Sequence, residues 1–340
     1  MRLIFFGSFQ HYSVLILEAL FNTPGLEVVG VVTTPPKPSG RRQILTQTPV
    51  HEWAEAHHLP VFTPETLDSV HCPLPAVDYL ITAGYGKLLP ALWLTHPRLG
   101  ALNLHFSLLP KFRGANPAEW AILLGETETG ITLIKMSPEF DTGAILAQAQ
   151  IPIEPTDTRE TLYRKLYELG AQKLPEWLLK IKNLPDGKAG LKLKIQPPIS
   201  STPPARRFTK DQSFLAWQII SAALTGQSLN LQQFPGYFKV ALNYIRSDSN
   251  DARSRTPLAG VEDVDLSQSD LYSFLSRLPR ALAGYPGVWT IINTPKGPKR
   301  LKLLTVHCSL PTNRLILDTV QLEGYNSSSY NQIKNQICQK

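Results

Sequence analysis

The chain has 340 residues, 43% of them hydrophobic, and this length predicts two globular domains that each bury a core. No apolar run approaches the roughly 18 residues that span a bilayer, and no signal-peptide pattern precedes the first strand. We therefore expect a cytoplasmic protein without a membrane partner. Cys72, Cys308 and Cys338 form no paired motif, which argues against a disulfide framework or a thiolate metal site.

The net charge of +7 lies in the C-terminal part of the chain. Residues 1–200 contain 18 Lys and Arg and 18 Asp and Glu, whereas residues 201–340 contain 16 Lys and Arg against 9 Asp and Glu. A polyanionic partner that meets the second half would explain this asymmetry, and so would an ordinary solvated basic surface. Composition alone leaves both interpretations open.

The predicted elements begin with a strand, a helix and a second strand. Leu3 to Phe6 and Val28 to Thr33 have the apolar runs of buried strands, and Ser13 to Phe21 between them is predicted as a helix. This order predicts an α/β fold, Rossmann-like, with a mostly parallel sheet. A Pro-rich loop from Thr34 to Thr48 follows, and then a helix near Val50 to His57.

Four more strands are predicted in the first half: Asp78 to Ala83, Ala101 to Leu104, Thr129 to Met136 and Ala144 to Ile153. A helix should begin at Asn116, because Asn116 can cap it and Pro117 suits the first helical position. Glu119 can complete a pattern like a capping box.

We expect the first domain to cover residues 1–184 and a semi-extended linker, rich in Pro, Gly, Ser and Lys, to cover 185–205. The second domain is predicted over 206–325, with a polar insertion at about 218–267. The tail, 326–340, is polar and compatible with disorder.

A helix and three short strands are predicted within the second domain. The helix lies near Ser269 to Leu282, and the strands lie near Val288 to Asn293, Leu301 to His307 and Leu315 to Leu322. A helix followed by short strands predicts a small β-rich barrel.

The most informative segment lies where a predicted parallel strand ends. Ligands of open α/β sheets bind at such carboxyl ends, and Asn103 and His105, two residues apart, would face the same side. Acyl transfer to an amine needs a hydrogen-bond donor for an oxyanion, worth about 3 kcal/mol, and a group that exchanges protons near neutral pH. Asp141, in a predicted turn, could orient the imidazole or relay its proton. Taken singly, each residue has an ordinary structural explanation as a loop, half-buried or turn residue.

The sequence around this pair resembles an ordered series of motifs. The series runs Ala83-Gly84-Tyr85-Gly86-x-Leu88-Leu89-Pro90, Asn103-x-His105-x-Ser107-Leu108-Leu109-Pro110, Phe112-Arg113-Gly114-Ala115-x-Pro117, Glu128-Thr129-Gly130-Ile131-Thr132 and Asp141-Thr142-Gly143. It is similar to that of the folate-dependent formyltransferases, and within that superfamily it most resembles the methionyl-tRNA formyltransferases.

The resemblance implies that Asn103, His105 and Asp141 are a catalytic trio and that 10-formyltetrahydrofolate is the co-substrate. It places the folate against three segments of the first domain. Their residues are Tyr85, Gly86, Lys87, Leu88, Leu89, Ser107, Leu108, Leu109, Pro110, Phe140, Thr142 and Gly143. No metal is expected, because the eight histidines show no ligand spacing.

The acceptor amine is predicted from the second half. Its first residues and its aromatic and basic pattern resemble the OB-like C-terminal domain of methionyl-tRNA formyltransferases, and the charge excess falls in the same half. The resemblance therefore implies initiator methionyl-tRNA as partner, formylated for bacterial-type translation initiation. We expect a monomer. The implied tRNA-binding residues in this half are Arg206, Arg207 and Lys210. Arg41 and Arg42 are implied separately, because their loop in the first half resembles the family's loop that contacts the tRNA acceptor end.

Phe106 departs from this family pattern, which often has Gly or Pro after the histidine. Bulk at this position could alter the folate or amine pocket. Two alternatives stand beside methionyl-tRNA formylation, the first because superfamily relatives act on other amines and the second because of Phe106. One is formylation of a nucleotide-linked amino sugar, against which the basic half argues. The other is a catalytically weak RNA-binding relative.

Overall fold

The computed structural model describes residues 1–39, 42–67, 76–182, 193–229, 232, 234, 238–242, 267–309, 312 and 314–337. The chain divides into two compact units. Met1–Ala115, Thr129–Ile151 and Tyr163–Ser200 form the first unit, and Asn116–Glu128, Pro152–Leu162 and Ser201–Lys340 form the second. Two short stretches that the sequence places in the first domain therefore lie in the second unit.

A seven-stranded sheet is the centre of the first unit. Its strands are β1 (Arg2–Phe6), β2 (Glu27–Val32), β5 (Val61–Phe62), β6 (Tyr79–Thr82), β7 (Gly100–His105), β8 (Glu128–Lys135) and β9 (Ile145–Pro152), while β3 (Lys37–Ser39) and β4 (Ile44–Thr46) form a separate hairpin. The strand order in the sheet is β5-β2-β1-β6-β7-β8-β9.

The sheet is mostly parallel, and its central strands are apolar on both faces, as such sheets require. The side chains of residues 3–6 in β1 are fully buried, as expected for a strand covered on both sides. β1 pairs in parallel with β2 and β6, and β6 with β7, whereas β7 and β8 are antiparallel. The prediction of a mostly parallel α/β sheet is confirmed. The carboxyl ends of β6 and β7 meet at one edge, which positions the candidate site.

The described helices are α1 (Tyr12–Phe21), α2 (Pro49–Ala56), α3 (Ala91–Thr95), α4 (Pro117–Leu124), α5 (Arg159–Lys182), α6 (Trp217–Thr225), α7 (Gln268–Ala281) and α8 (Tyr330–Ile333). Pro117 is the first residue of α4, as predicted, but the Asn116 side chain forms no cap. Glu119 is 2% exposed and accepts from Arg159 at 2.6 Å. The predicted capping box is therefore wrong, because a buried ion pair takes the carboxylate.

A four-stranded antiparallel sheet forms the β-rich part of the second unit. It consists of β10 (Val288–Thr294), β11 (Gly297–Ser309), β12 (Arg314–Leu322) and β13 (Ser327–Ser329), in that order. The apolar face of α7, which includes Leu271, Phe274 and Leu278, is buried in this unit. The Ser267 hydroxyl caps this helix by accepting from the Asp270 N–H at 3.2 Å. The predicted helix and the three predicted strands are confirmed.

Two predicted segments differ from the structure, and a third, the polar insertion, is described only in part. In the tail, β13 pairs with β12, and Ser329 and Gln332 form a capping box for α8, so residues 327–333 are ordered structure. Of the predicted linker, residues 193–205 are described; 193–200 belong to the first unit and 201–205 to the second. Of the predicted insertion, residues 218–225 continue α6, and residues 243–266 lie outside the described residues. Among the helices that are described, none is both long and apolar enough to cross a membrane.

Candidate functional site

Asn103 and His105 lie at the carboxyl end of β7. Thr82, at the end of β6, lies opposite Asn103 in register. The Thr82 hydroxyl donates to Asn103 Oδ1 at 2.6 Å. This bond fixes the carboxamide so that its NH₂ group points away from Thr82. His105 follows on the same side of the strand and is 5% exposed. The strand end therefore presents an amide and an imidazole side by side.

Asp141 contacts this pair from the turn between β8 and β9. Its Oδ1 accepts from Asn103 Nδ2 at 3.2 Å and lies 3.5 Å from His105 Nδ1. Its Oδ2 accepts from the Gly114 backbone N–H at 2.9 Å. Asp141 has a φ of 54°, a left-handed conformation that costs a non-glycine residue about 1–3 kcal/mol. The structure thus brings the three predicted residues into one cluster.

The two ring nitrogens of His105 both face oxygen atoms. Nε2 lies 3.0 Å from the carbonyl oxygen of Phe112, and because a carbonyl only accepts, the neutral ring carries its proton on Nε2. This tautomer leaves the Nδ1 lone pair on the side of Asp141. A proton taken up by Nδ1 would point at the Asp141 carboxylate. The geometry suits a histidine that accepts and returns a proton at Nδ1.

Arg113 and Gln196 support the Asp141 turn, and sequence reasoning missed both roles. Gln196 Nε2 donates to the carbonyl oxygens of Asp141 at 2.9 Å and Gly143 at 2.6 Å. Its Oε1 accepts from Arg113 Nε at 3.2 Å and Nη2 at 3.0 Å. Burial lowers the pKa of the Arg113 guanidinium, and the negative charges of Asp141 and Glu139 oppose that shift.

The residues that the resemblance assigns to folate differ in accessibility. Tyr85 packs edge-on against Phe6, 5.2 Å between ring centroids, and burial raises the pKa of its phenol to about 12. The side chain of Tyr85 therefore belongs to the core. Leu88 and Phe140, in contrast, are 48% and 62% exposed. Of the rest, Gly86 is exposed, Lys87, Leu108, Pro110 and Thr142 are half-buried, and Leu89, Ser107, Leu109 and Gly143 are buried.

Contacts with β8 fix two of the three segments that the resemblance assigns to folate. Thr132 Oγ1 donates to the carbonyl oxygen of Ser107 at 2.6 Å and accepts from the Leu109 N–H at 3.1 Å. A Cβ at Gly143 would collide with the carbonyl oxygen of Lys135, so the turn after Asp141 requires glycine. The segments around Ser107 to Leu109 and at Gly143 are therefore held against β8.

Phe106 is 6% exposed and packs into an aromatic cluster. Its ring stacks on Tyr167, with centroids 3.8 Å apart and planes at 23°. Tyr167 is itself fully buried and contacts Phe9 and Tyr12. Because neighbouring side chains in a strand point to opposite sides, we attribute the bulk of Phe106 to packing rather than to the pocket at His105.

Replacing Phe106 with alanine should therefore cost stability. We expect the free energy of unfolding to fall by about 3–5 kcal/mol, since the change leaves a cavity beside Tyr167. Phe106→Leu should cost clearly less. Urea unfolding followed by fluorescence measures both. A Phe106→Ala variant that unfolds like the wild type but loses activity would instead place the ring in the pocket.

The predicted basic residues occupy exposed positions in both units. Arg42, in the β3–β4 hairpin, is exposed, and Arg41 lies outside the described residues. Arg206, Arg207 and Lys210 are exposed in the second unit. Two indole N–H groups hold their backbone: Trp120 Nε1 donates to the carbonyl oxygen of Arg206 at 3.0 Å and Trp289 Nε1 to that of Lys210 at 2.9 Å.

The structure adds two cations that the sequence analysis did not single out. Arg300 lies over the Trp289 ring, 4.6 Å from its centroid, and Lys302 is the β11 partner of Trp289. We call Lys210, Trp289, Arg300 and Lys302 the basic cluster. The pairing register of the two predicted strands could have indicated this cluster, because that register places Lys302 opposite Trp289.

Residues 1–178 match a protein family described as formyl transferase. The methionyl-tRNA formyltransferase of Gluconobacter oxydans is 37% identical over 244 residues, which are 70% of this chain and 76% of that protein. The Ehrlichia ruminantium methionyl-tRNA formyltransferase is 42% identical over 190 residues, 54% of this chain and 62% of that protein. A solved phosphoribosylglycinamide formyltransferase from Bacillus halodurans is 27% identical with a TM-score of 0.45, over 54% of this chain and 96% of that one.

Proposed function

Because this chain belongs to the formyl transferase family, we propose that it transfers the formyl group of 10-formyltetrahydrofolate to the α-amine of methionine on initiator methionyl-tRNA. The observation that carries the proposal is the cluster of Asn103, His105 and Asp141 at the carboxyl end of β7. Relatives named methionyl-tRNA formyltransferase support the acceptor. The product would serve translation initiation.

Asn103 stabilises the negative charge that develops on the formyl oxygen. A carboxamide nitrogen carries two N–H donors, and Asp141 Oδ1 accepts one of them. The second N–H is the donor that we assign to the oxyanion. Thr82 contributes by holding Asn103 Oδ1, so that the amide cannot turn its oxygen toward the developing charge. Such a preorganised donor is worth about 3–4 kcal/mol.

His105 removes the proton that the attacking amine must lose. The Phe112 carbonyl oxygen holds the ring proton on Nε2, and Nδ1 accepts the new proton on the side where Asn103 lies. Asp141 Oδ1 then accepts a hydrogen bond from the protonated Nδ1, across a separation of 3.5 Å in this structure. A carboxylate at this position stabilises the protonated imidazole.

The residues present fit a folate. Leu88 and Phe140, which the resemblance assigns to folate binding, are exposed apolar side chains and suit a flat aromatic ring. When bound, the folate supplies the formyl carbon. Gly86, between the buried core residue Tyr85 and the exposed Leu88, has a φ of 73°, a conformation that glycine adopts without strain.

The second unit suits a phosphate-bearing acceptor. In the basic cluster the exposed residue Lys210 is hydrogen-bonded through its backbone carbonyl oxygen to Trp289, and Arg300 lies over the Trp289 ring. Cations neutralise phosphates, and aromatic rings and guanidinium planes stack on bases. A tRNA acceptor would explain both the basic cluster and the excess of positive charge in residues 201–340.

Lys210→Ala and Arg42→Ala should weaken tRNA binding in a salt-dependent way. Each loses about one phosphate contact, so the slope of log K against log salt should become shallower by about 1. Fluorescence anisotropy with labelled tRNA at several salt concentrations measures this slope. Lys180→Ala, which removes a cation that pairs with Glu176 on α5, is the control and should keep the wild-type slope. An unchanged slope in the Lys210 variant would remove this residue from the interface.

Transfer of a labelled formyl group tests the proposal. The acceptors are initiator methionyl-tRNA, the same tRNA without methionine and a nucleotide-linked amino sugar. We expect label only on the aminoacyl end of the charged tRNA. Label on the sugar alone would contradict the acceptor, and tRNA binding without any transfer would contradict the activity.

A further inference from the structure

We infer that Gln196 is a positioning residue for formyl transfer. It contacts both loops that orient His105, the loop at Arg113 and the turn at Asp141. The inference rests on the proposed function of the trio. Gln196 lies in a Pro-rich segment, Leu193–Ser200, whose neighbouring Ile195 is 84% exposed, yet Gln196 itself is only 7% exposed. A polar side chain buried in an otherwise exposed segment needs specific partners.

The segment is fixed at three points in the first unit. Lys194 and Ile145 exchange backbone hydrogen bonds of 2.9 and 3.0 Å. The Arg113 guanidinium donates to the carbonyl oxygens of Pro197 at 2.7 Å and Pro198 at 3.1 Å, and Ser200 Oγ donates to that of Pro110 at 2.6 Å. The segment therefore cannot slide, and Gln196 has a defined position.

The carboxamide of Gln196 uses all of its hydrogen-bonding capacity. Its two N–H groups donate to Asp141 O and Gly143 O, and its oxygen accepts twice from Arg113. The carbonyls only accept and the guanidinium only donates, so the amide has a single workable orientation. Through these bonds Gln196 fixes the backbone of Asp141, which has an unfavourable φ of 54°.

The same amide also fixes the other contact of the histidine. Arg113 stands between Phe112, whose carbonyl oxygen holds His105 Nε2, and Gly114, whose N–H holds Asp141 Oδ2. Gln196 thus connects the loop at one ring nitrogen with the turn at the other. A shift of about 1 Å in such a constellation can lower a rate by about 10²-fold.

Gln196→Glu isolates this role because it keeps the shape and changes the donors. The carboxylate can still accept from Arg113, but its second oxygen would face the carbonyl oxygens of Asp141 and Gly143 without a proton. Gln196→Ala removes the same contacts without adding charge, and it carries the test if the Glu variant does not fold. Gln150→Glu adds a charge at an exposed glutamine of the same unit and is the matched control.

The experiment measures kcat and KM for methionyl-tRNA transfer, the melting temperature, and the ¹⁵N shifts of the His105 ring, assigned by their loss in His105→Ala. We expect both Gln196 variants to lower kcat by about 10- to 100-fold, to change KM by less than about threefold and to move the His105 shifts. Gln150→Glu should match the wild type in kcat, in KM and in the His105 shifts.

Two results would overturn the inference. One is a wild-type kcat in the Gln196 variants. The other is a loss of activity that follows melting temperature while the His105 shifts stay unchanged. If the wild-type protein itself transfers no formyl group, the proposed function fails, whereas the His105 shifts still report whether Gln196 positions the ring.

Discussion

Replacing His105 with alanine should lower kcat for formyl transfer by about 10²- to 10⁴-fold. The side chain is 5% exposed, its Nε2 is held by the Phe112 carbonyl oxygen, and its Nδ1 lies on the side of Asn103 and Asp141. Loss of the ring removes the only proton acceptor that we assign to the attacking amine. Single-turnover transfer to methionyl-tRNA measures the effect.

His57→Ala is the control for this loss. His57 is an exposed histidine at the end of α2 that stacks on Trp53, far from β7 in sequence, and its removal should leave the rate near that of the wild type. A His105→Ala variant that retained more than about a tenth of wild-type kcat would contradict a role for the imidazole as base, because even weak general base catalysis exceeds that factor.

Replacing Asp141 with asparagine should have the second largest effect, on the order of 10²- to 10⁴-fold in kcat. Both carboxylate oxygens accept: Oδ2 from the Gly114 N–H and Oδ1 from Asn103 Nδ2. An amide must turn an N–H toward one of these donors, so Asn103, Gly114 or the turn has to move. The measurement is the same single-turnover assay.

Glu139→Gln is the matched control for Asp141→Asn, because it removes a negative charge two residues away in the same turn, at an exposed position. The control should transfer at nearly the wild-type rate. If both variants lost activity equally, the loss would come from the reduced negative charge of the turn. The specific hydrogen bonds of Asp141 would then not account for the loss.

The pair on β7 could be predicted from sequence because its geometry is local. Asn103 and His105 are two residues apart in an apolar strand, and period-two alternation puts them on one side. Asp141 is 38 residues beyond Asn103, and only the resemblance of its motif connected it with the pair. The sequence therefore predicted the trio but not the hydrogen bonds that orient it.

Roles that depend on distant partners could not be predicted. Gln196 is 55 residues from Asp141, and a Pro-rich segment carries no periodic pattern that marks one of its side chains as buried. Glu119 has the local spacing of a capping box, but Arg159, 40 residues away, takes its carboxylate. In the tail, the serine run lacks apolar residues, and it is ordered because β12 supplies backbone partners.

The measurement that tests the account most directly is a double-mutant cycle on single-turnover formyl transfer to methionyl-tRNA, with wild type, His105→Ala, Asp141→Asn and the double variant. Residues that act as one unit lose little more together than the more damaging one loses alone. We predict transfer by the wild type and a double variant no slower than the slower single variant. Absence of transfer by the wild type, or losses that multiply in the double variant, would contradict the account.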